Sequence, residues 1–330
     1  MKKAASLLLA GLLLLTIVFP AGCAKLSGSA PGQGSQPTPG QQLKVGLLYD
    51  EEALPAYIAQ QEGLFQKAGV NVQLLPFGSA IERDSAVQSG AVDGAEGDLI
   101  SVALQNQGGI PVKSVTVLLG AKPEEGRFYI LAAPNTITNV DDLQGKTLAV
   151  SQNTIIDFLA DEMLTAKGVD PDLVRKEYIP DMPMRLQMLM QKKVDAALLP
   201  DPLASEAIFQ GAAVLVDKSK LPVNLSQSVL FFRDDAIKSK PDAIKGYLQA
   251  YAQAEQEVDQ NPGKYRQLFY DKVKVPKAVQ GLVPVPSFSP PQAPSHDNVQ
   301  LVLDWMNKKK LLTKNLSYDD LVTGEFVAAK

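Results

Sequence analysis

The chain offers little sulfur or imidazole chemistry. Cys23 is its only cysteine and His296 its only histidine. A disulfide within the chain is excluded, and so is a metal site built from several cysteines. His296 stands at a predicted helix start, apart from any Ser or Cys it could activate, so no catalytic residue is assigned. Basic excess is also missing. Thirty-two Lys and Arg face 36 Asp and Glu, a net charge of −4 that falls by two more if Lys2 and Lys3 are removed. A protein that grips nucleic acid through its phosphates carries the opposite balance. One stretch, Leu7 to Phe19, is predominantly apolar over its whole length, and it is short for a membrane-spanning helix.

What is present fits a globular body. Forty-five per cent hydrophobic and 21% charged residues in 330 allow two domains, each with its own core. The N-terminus is set apart. Lys2–Lys3, the apolar run and Ala21–Gly22 read as a secretory signal over residues 1–22. A lone cysteine after a small pair resembles a bacterial lipobox, in which the thiol receives diacylglycerol and becomes the new N-terminus; Pro20 stands where leucine is usual. The segment SGSAPGQGSQPTPGQQ, Ser27–Gln42, has no apolar side chain beyond Ala30. It cannot bury enough surface to offset its ordering entropy. Residues 23–42 are therefore expected to be a lipidated cysteine and a disordered tether, holding the body near a membrane.

The body contains one plan twice. Val45–Tyr49 ends in Asp50, a helix runs from Leu54 to Lys67, and Ala68–Gly69–Val70 stops it. Val72–Phe77 ends in Gly78–Ser79, and a second helix leads to Val92–Asp93–Gly94–Ala95. Later, Leu148–Val150 ends in Ser151–Gln152–Asn153, a helix reaches Lys167, and Gly168–Val169 stops it. Arg175–Ile179 ends in Pro180–Asp181, and a helix leads to Val194–Asp195–Ala196–Ala197. Val45 to Val92 spans 47 positions and Leu148 to Val194 spans 46. Two β-α-β-α-β units predict two open α/β sheets, which bind ligands beyond the carboxyl ends of their strands. Lobe I is expected over 43–118 and 225–330 and lobe II over 119–224, with crossings near Leu118–Gly120 and Asn224–Ser226. Further strands are expected at Val112–Leu119, Phe128–Ala132 and Ser226–Phe232. Helices are expected over Asp234–Asp259, from Asn261–Pro262, and from Ser295.

Candidate ligand-binding residues follow from this topology. They are Asp50 and Glu51 after the first strand, Gly78 and Ser79 before the second helix, and Asp98. In the second unit they are Gln152, Asn153 and Thr154, then Asp181, where Ser79 sits in the first unit, and Asp201 between two prolines. Each strand-to-helix turn can present free N–H groups and a polar side chain to a ligand. Helix capping explains Ser79, Asp98 and Ser151–Thr154 equally well, and a solvent-facing turn explains Asp201. The acids Asp50, Glu51, Glu52, Asp98, Asp181 and Asp201 favour a ligand with an amine or a cationic heterocycle if half of them face the cleft, because unpaired buried anions are costly. Met182, Met184, Met188 and Met190 are expected in the core.

The segments Pro55–Phe65, Ala68–Val72, Ser89–Asp93, Gly109–Val112, Leu143–Lys146, Val194–Ala196 and Asp304–Met306 resemble, in order and spacing, solute-binding proteins of ABC importers. The nearest branch is the nitrate, sulfonate and taurine group with the thiamine-precursor binders. The resemblance implies a type II periplasmic-binding-protein fold, two α/β lobes joined by a two-segment hinge that closes on ligand. It also implies a monomer, lipid-anchored outside the cytoplasm, that passes a small molecule to a permease and ATPase, with no cofactor and no metal. A ligand-binding lipoprotein feeding a membrane sensor would look the same. A pyrimidine-forming enzyme resembles this fold too, but its cysteine-rich motif is missing here.

Overall fold

Two five-stranded sheets account for the strands of the described residues. The computed structural model describes residues 42–327 apart from Ser226, all within the unit Pro37–Lys330. The signal segment, Cys23 and the tether before Gln42 lie outside the described residues. The first sheet contains β1 (Leu43–Leu47), β2 (Val72–Pro76), β3 (Gly94–Asp98), β4 (Val112–Leu119) and β10 (Ser228–Arg233), in the order β2-β1-β3-β10-β4. The second contains β5 (Phe128–Ala132), β6 (Thr147–Val150), β7 (Arg175–Tyr178), β8 (Ala196–Pro200) and β9 (Ala213–Asp217), in the order β7-β6-β8-β5-β9. β1 is parallel to β2 and β3, and β6 to β7 and β8. One antiparallel strand is inserted in each sheet: β10 between β3 and β4, and β5 between β8 and β9.

The internal repeat is visible atom by atom. Asp93 Oδ2 accepts from the N–H of Lys44 at 2.8 Å, and Asp195 Oδ2 accepts from the N–H of Thr147 at 2.9 Å. The helix expected over Leu54–Lys67 is two, Leu54–Gln61 and Leu64–Lys67, broken at left-handed Gly63 (φ 68°). The helical segment of each unit ends before a left-handed glycine, Gly69 (φ 73°) and Gly168 (φ 79°). The next N–H folds back five residues in each case, Val70 to the carbonyl of Phe65 and Val169 to that of Leu164. This closes the exposed carbonyls of the last turn, and a side chain would be strained at the glycine.

Several boundaries differ from expectation for local reasons. β3 starts at Gly94 rather than Val92, because the N–H groups of Ala91 and Val92 still bond the Ala86 carbonyl of the preceding helix. A methyl on Gly94 would stand 2.2 Å from the Phe232 ring, so β10 requires glycine there. The expected long helix from Asp234 is two helices, Asp234–Ser239 and Pro241–Gln260, because Pro241 cannot continue the first one's hydrogen bonds. β9 is an edge strand with a half-exposed pattern, and its sequence carries no strong alternation. Of the four methionines expected in the core, Met188 and Met190 pack against the core of the second sheet, whereas Met184 is 48% exposed and Met182 lines the cleft described below.

The chain crosses between sheets twice, after β4 and before β10. Asn224 Nδ2 in the second crossing donates to the carbonyl of Gly120 in the first at 2.6 Å. Lys218, fully buried, donates to the carbonyls of Pro123 (2.8 Å) and Glu125 (2.6 Å). Burial pushes its ammonium down to about 8. A third link is not covalent. The helix His296–Lys308 packs on the helix Leu99–Gln107 of the first sheet, and its Trp305 meets Phe158 of the second sheet's helix Ile155–Ala166 edge-on at 5.6 Å. Trp305 Nε1 donates to buried Asp161 Oδ2 at 2.8 Å. Lys176 (2.6 Å) and Lys309 (2.8 Å) surround the same carboxylate. Burial alone would raise the Asp161 carboxyl, but Lys176 and its hydrogen bonds outweigh burial and hold it low. Replacing Trp305 with Phe keeps the ring packing and removes the donor. The expected cost is about 1–3 kcal/mol, read by calorimetry as a melting temperature lower by a few degrees.

Candidate ligand-binding cleft

The cleft follows from the inserted strands. Ser228, the first residue of β10, pairs with Asp98 at the end of β3 and with Leu119 at the end of β4. Phe128, the first residue of β5, pairs with Pro200 at the end of β8. Both crossings therefore leave from the carboxyl ends of the parallel strands. The loops that follow β1, β3, β6 and β8 meet there, and the space between them measures about 780 Å³, open water included. From the first sheet it is lined by Leu48, Asp50, Glu51, Glu52, Ala80, Arg83, Gly97, Asp98, Leu119 and Ser228. From the second come Arg127, Phe128, Ser151, Thr154, Ile155, Ile156, Met182, Arg185, Pro200 and Asp201.

The floor on the first sheet is acidic around one guanidinium. Arg83 is 1% exposed and lies against β3, where only a glycine fits: a methyl on Gly97 would stand 2.9 Å from its Cζ. Its Nη2 donates to Asp84 Oδ1 (2.8 Å) and Ser101 Oγ (2.5 Å). Asp98 caps the next helix by accepting from Ser101 N–H at 2.8 Å. Asp50 Oδ1 is buried on the cleft wall without a hydrogen-bond partner. Burial pushes the Asp50 carboxyl up to about 7; Arg83 opposes this and Glu51 adds to it. Glu52 is driven well above the usual carboxylate range by burial and by the Asp50 charge. Glu96 on β3 is fully buried with neither oxygen hydrogen-bonded, and burial with the charges of Asp50 and Glu52 raises it likewise.

Between the two walls stands an ion triad. Arg127 Nη2 donates to Glu51 Oε1 at 2.5 Å across the cleft, and Arg127 Nη1 lies 3.2 Å from Asp201 Oδ2 on its own side. Glu51 and Asp201 are 5% and 2% exposed. Asp201 Oδ1 also accepts from the N–H (2.9 Å) and hydroxyl (2.7 Å) of Ser205, which fixes its orientation. Arg185, fully buried on the second wall, donates to the carbonyls of Ile179 (3.0 Å), Leu198 (3.0 Å) and Pro180 (3.3 Å). Burial lowers its guanidinium to about 10.

Of the residues singled out in the sequence, Asp50, Glu51, Asp98, Thr154 and Asp201 line this space. Thr154 is also a cap: its hydroxyl donates to the Ser151 carbonyl at 2.7 Å and accepts from Ile156 N–H at 3.2 Å. Gly78, Ser79, Gln152, Asn153 and Asp181 are not among the lining residues. Ser79 accepts from Glu82 N–H (3.3 Å) while Glu82 reaches back to Gly78 N–H (3.0 Å), so this turn is occupied by its own cap. Asp181 is exposed and caps Met184 N–H at 2.7 Å. Asn153 takes a left-handed φ of 57° and donates its N–H to Asp157. Glu52 was named in the sequence only as one of the group of acids, and Arg83, Arg127, Arg185 and Phe128 were not selected at all. The repeat carried a signal for two of them. Arg83 lies four residues after the cap Ser79, and Arg185 four after the cap Asp181; each N–H bonds to its cap's carbonyl, and each side chain turns inward.

The raised acids have a stability consequence. A carboxyl whose folded pKa exceeds its unfolded value gives the native state extra protons in between, so stability falls as pH rises through that window. For Asp50 the window runs from its ordinary value of 3.8 to about 7. Asp50→Asn removes the penalty. Its melting temperature is expected to exceed that of the parent by a few degrees at pH 8 and to match it at pH 4, as followed by thermal unfolding at both pH values.

Comparison with known proteins agrees with this architecture. The family model described as NMT1/THI5 like matches residues 51–264. A protein of Brachyspira hyodysenteriae that bears the name of an ABC transporter periplasmic binding protein is 24% identical over 270 residues, covering 77% of this chain and 74% of its own. The alkanesulfonate-binding protein SsuA of Xanthomonas axonopodis, solved with MOPS, superposes with a TM-score of 0.73 at 18% identity, over 86% of this chain and 98% of its own. The aliphatic sulphonate-binding protein SsuA of Escherichia coli gives 0.71 at 18% identity, over 86% and 92%. These structures share the fold. Because the family match spans more than half of its length, the chain belongs to the NMT1/THI5-like family.

Proposed function

We propose that this protein is the extracytoplasmic solute-binding component of an ABC importer, that it captures a small molecule between its two lobes, and that it delivers that molecule to a membrane permease. The observation that supports this most strongly is the cleft itself. Its two walls come from different sheets, meet at the crossings, and touch through the Glu51–Arg127 pair. Lobe I is assigned to 43–118 and 225–330 and lobe II to 119–224, so the Asn224–Gly120 bond sits where hinge motion would occur. A ligand that contacts both walls favours the closed arrangement by its differential affinity. Asp50, Glu51, Asp98, Thr154 and Asp201 are assigned to the binding walls, joined by Glu52, Arg127 and Phe128.

The reading is of a carrier rather than an enzyme. The one histidine stacks on Tyr318 at 3.7 Å, away from the lining residues. No described helix is long and apolar enough to cross a membrane. Attachment is assigned to a lipid on Cys23, on the strength of the N-terminal sequence.

Amide hydrogen exchange tests capture. Adding a small-metabolite extract is expected to raise protection on both walls together, at 48–54 and 97–101 and at 126–128, 151–156 and 200–202. Protection confined to one wall, or none, contradicts closure on a solute. Labelled palmitate tests the anchor: the parent is expected to incorporate it and Cys23→Ser to incorporate none.

A further inference from the structure

The cleft's charges identify the kind of solute it accepts. We propose that it takes a solute with a protonated nitrogen on an apolar body, the nitrogen seated against Asp50 and Glu52, and that it turns away sulfonates and other anions. This rests on the solute-capture reading above and names the class of molecule captured.

The first argument concerns the cations. Three arginines line the space, and all three are already engaged. Arg83 is held by Asp84 and Ser101. Arg127 is held by Glu51 and Asp201. Arg185 is spent on three carbonyl oxygens. An anionic solute would have to displace a carboxylate of the protein from Arg127 or Arg83, trading one ion pair for another. It would also have to enter beside Asp50, Glu52 and Asp98.

The second argument concerns the acids. Five carboxyls line the space, Asp50, Glu51, Glu52, Asp98 and Asp201, against those three arginines. Glu51 and Asp201 share the single charge of Arg127, and Asp98 is committed to a helix cap near Arg83. That leaves Asp50, whose carboxyl takes a backbone hydrogen bond from Ala53, and Glu52, bonded to the Ser228 side chain; neither has a cation to itself. Asp50 Oδ1 is a buried acceptor on the cleft wall with nothing donating to it. Glu96, fully buried on β3 and likewise unbonded, competes with them for Arg83. A buried carboxylate needs a counter-charge or a proton. A cationic nitrogen beside the carboxyls supplies the counter-charge. Leu48, Leu119, Phe128, Ile155, Ile156 and Met182 offer apolar surface for the rest of the molecule.

A proton linkage follows. The charged and titratable groups that act on this pair are Arg83 from the helix Ala80–Gln88, Glu51 beside it, and Glu96 and Asp98 from β3. Tyr57 and Tyr251 lie close from the two helices behind. Without solute, burial keeps a proton on the pair near neutral pH, with Asp50 at about 7. A cation that binds the ionised form expels that proton to buffer. For one proton, affinity rises about tenfold per pH unit below this value and levels off above it.

The test uses the full chain and twelve probes in thermal shift and calorimetry. Benzylamine, putrescine, piperidine and 4-aminopyridine are the cations. Benzoate, acetate, ethanesulfonate and nitrate are the anions; benzyl alcohol, glucose, glycerol and urea are neutral. Stabilisation is expected from the cations alone, strongest for those with an apolar body. Their binding enthalpy should change with the ionisation enthalpy of the buffer in the sense of proton release. Asp50→Asn with Glu52→Gln should weaken the best of them at least tenfold. If that double variant does not fold, buffer dependence in the parent and the single Glu52→Gln decide the matter. Stabilisation by anions or neutral probes, or amine binding without proton release, overturns the proposal and leaves solute capture standing. Stabilisation by no probe and by no small-metabolite extract overturns both.

Discussion

Each sheet is completed by a strand that the chain inserts against the run of its neighbours, and this constraint places everything else. β10 enters the first sheet only after the chain has built the second, and β5 is the first strand laid down after the first crossing. Because both run antiparallel, both begin at the carboxyl ends of the parallel strands. The crossings, the strand-to-helix turns and the polar side chains those turns carry are thereby collected at one interface. A site beyond the carboxyl ends of strands is a general property of open α/β sheets. Here two sheets share one.

The chemistry of that interface is governed by desolvation. Water excluded from between the walls no longer screens the charges, so each buried group needs a specific partner. Arg127 finds two, and in doing so ties one wall to the other. Asp201 can serve it because Ser205 fixes the carboxylate from below. Asp50 and Glu52 have Arg83 nearby but share it with Asp84 and Asp98. The fold is held elsewhere, by the stacked Phe65, Tyr247 and Tyr251 (5.1 and 6.0 Å between ring centres) and by the Trp305–Asp161 bond. The cleft can therefore carry an imbalance that a core could not, which is the usual arrangement where a binding site departs from the rules of stable packing.

Much of the fold was legible because the repeat is written in local chemistry. Gly69 and Gly168 end helices, Asp93 and Asp195 clasp strand entries, and Ser79 and Asp181 begin helices, each by an interaction that spans few residues or recurs at matched spacing. The short edge strand β9 was not legible, since an edge exposed to water needs no apolar alternation. The site was legible by half. The turns were found, but a turn residue can be consumed by its own helix, as Ser79, Asn153 and Asp181 are. The arginines were missed because they lie inside helices or at a crossing. Only pairing across 76 residues of sequence brings Arg127 to Glu51. Matching Arg83 to Arg185 across the repeat would have found two of the three.

Two lobes that close on a solute change the distance between them, and that distance is the quantity to measure. Spin labels at the exposed, repeat-related positions Ser85 and Gln187, one on each lobe, report it directly by pulsed dipolar spectroscopy in a Glu51→Gln background with Cys23 replaced. Without its counter-charge to Arg127 the variant is predicted to show a broad distribution with a long-distance component. A small-metabolite extract should draw it into one short distance. A single distribution that neither the substitution nor the extract changes would contradict closure and reduce the cleft to a fixed groove.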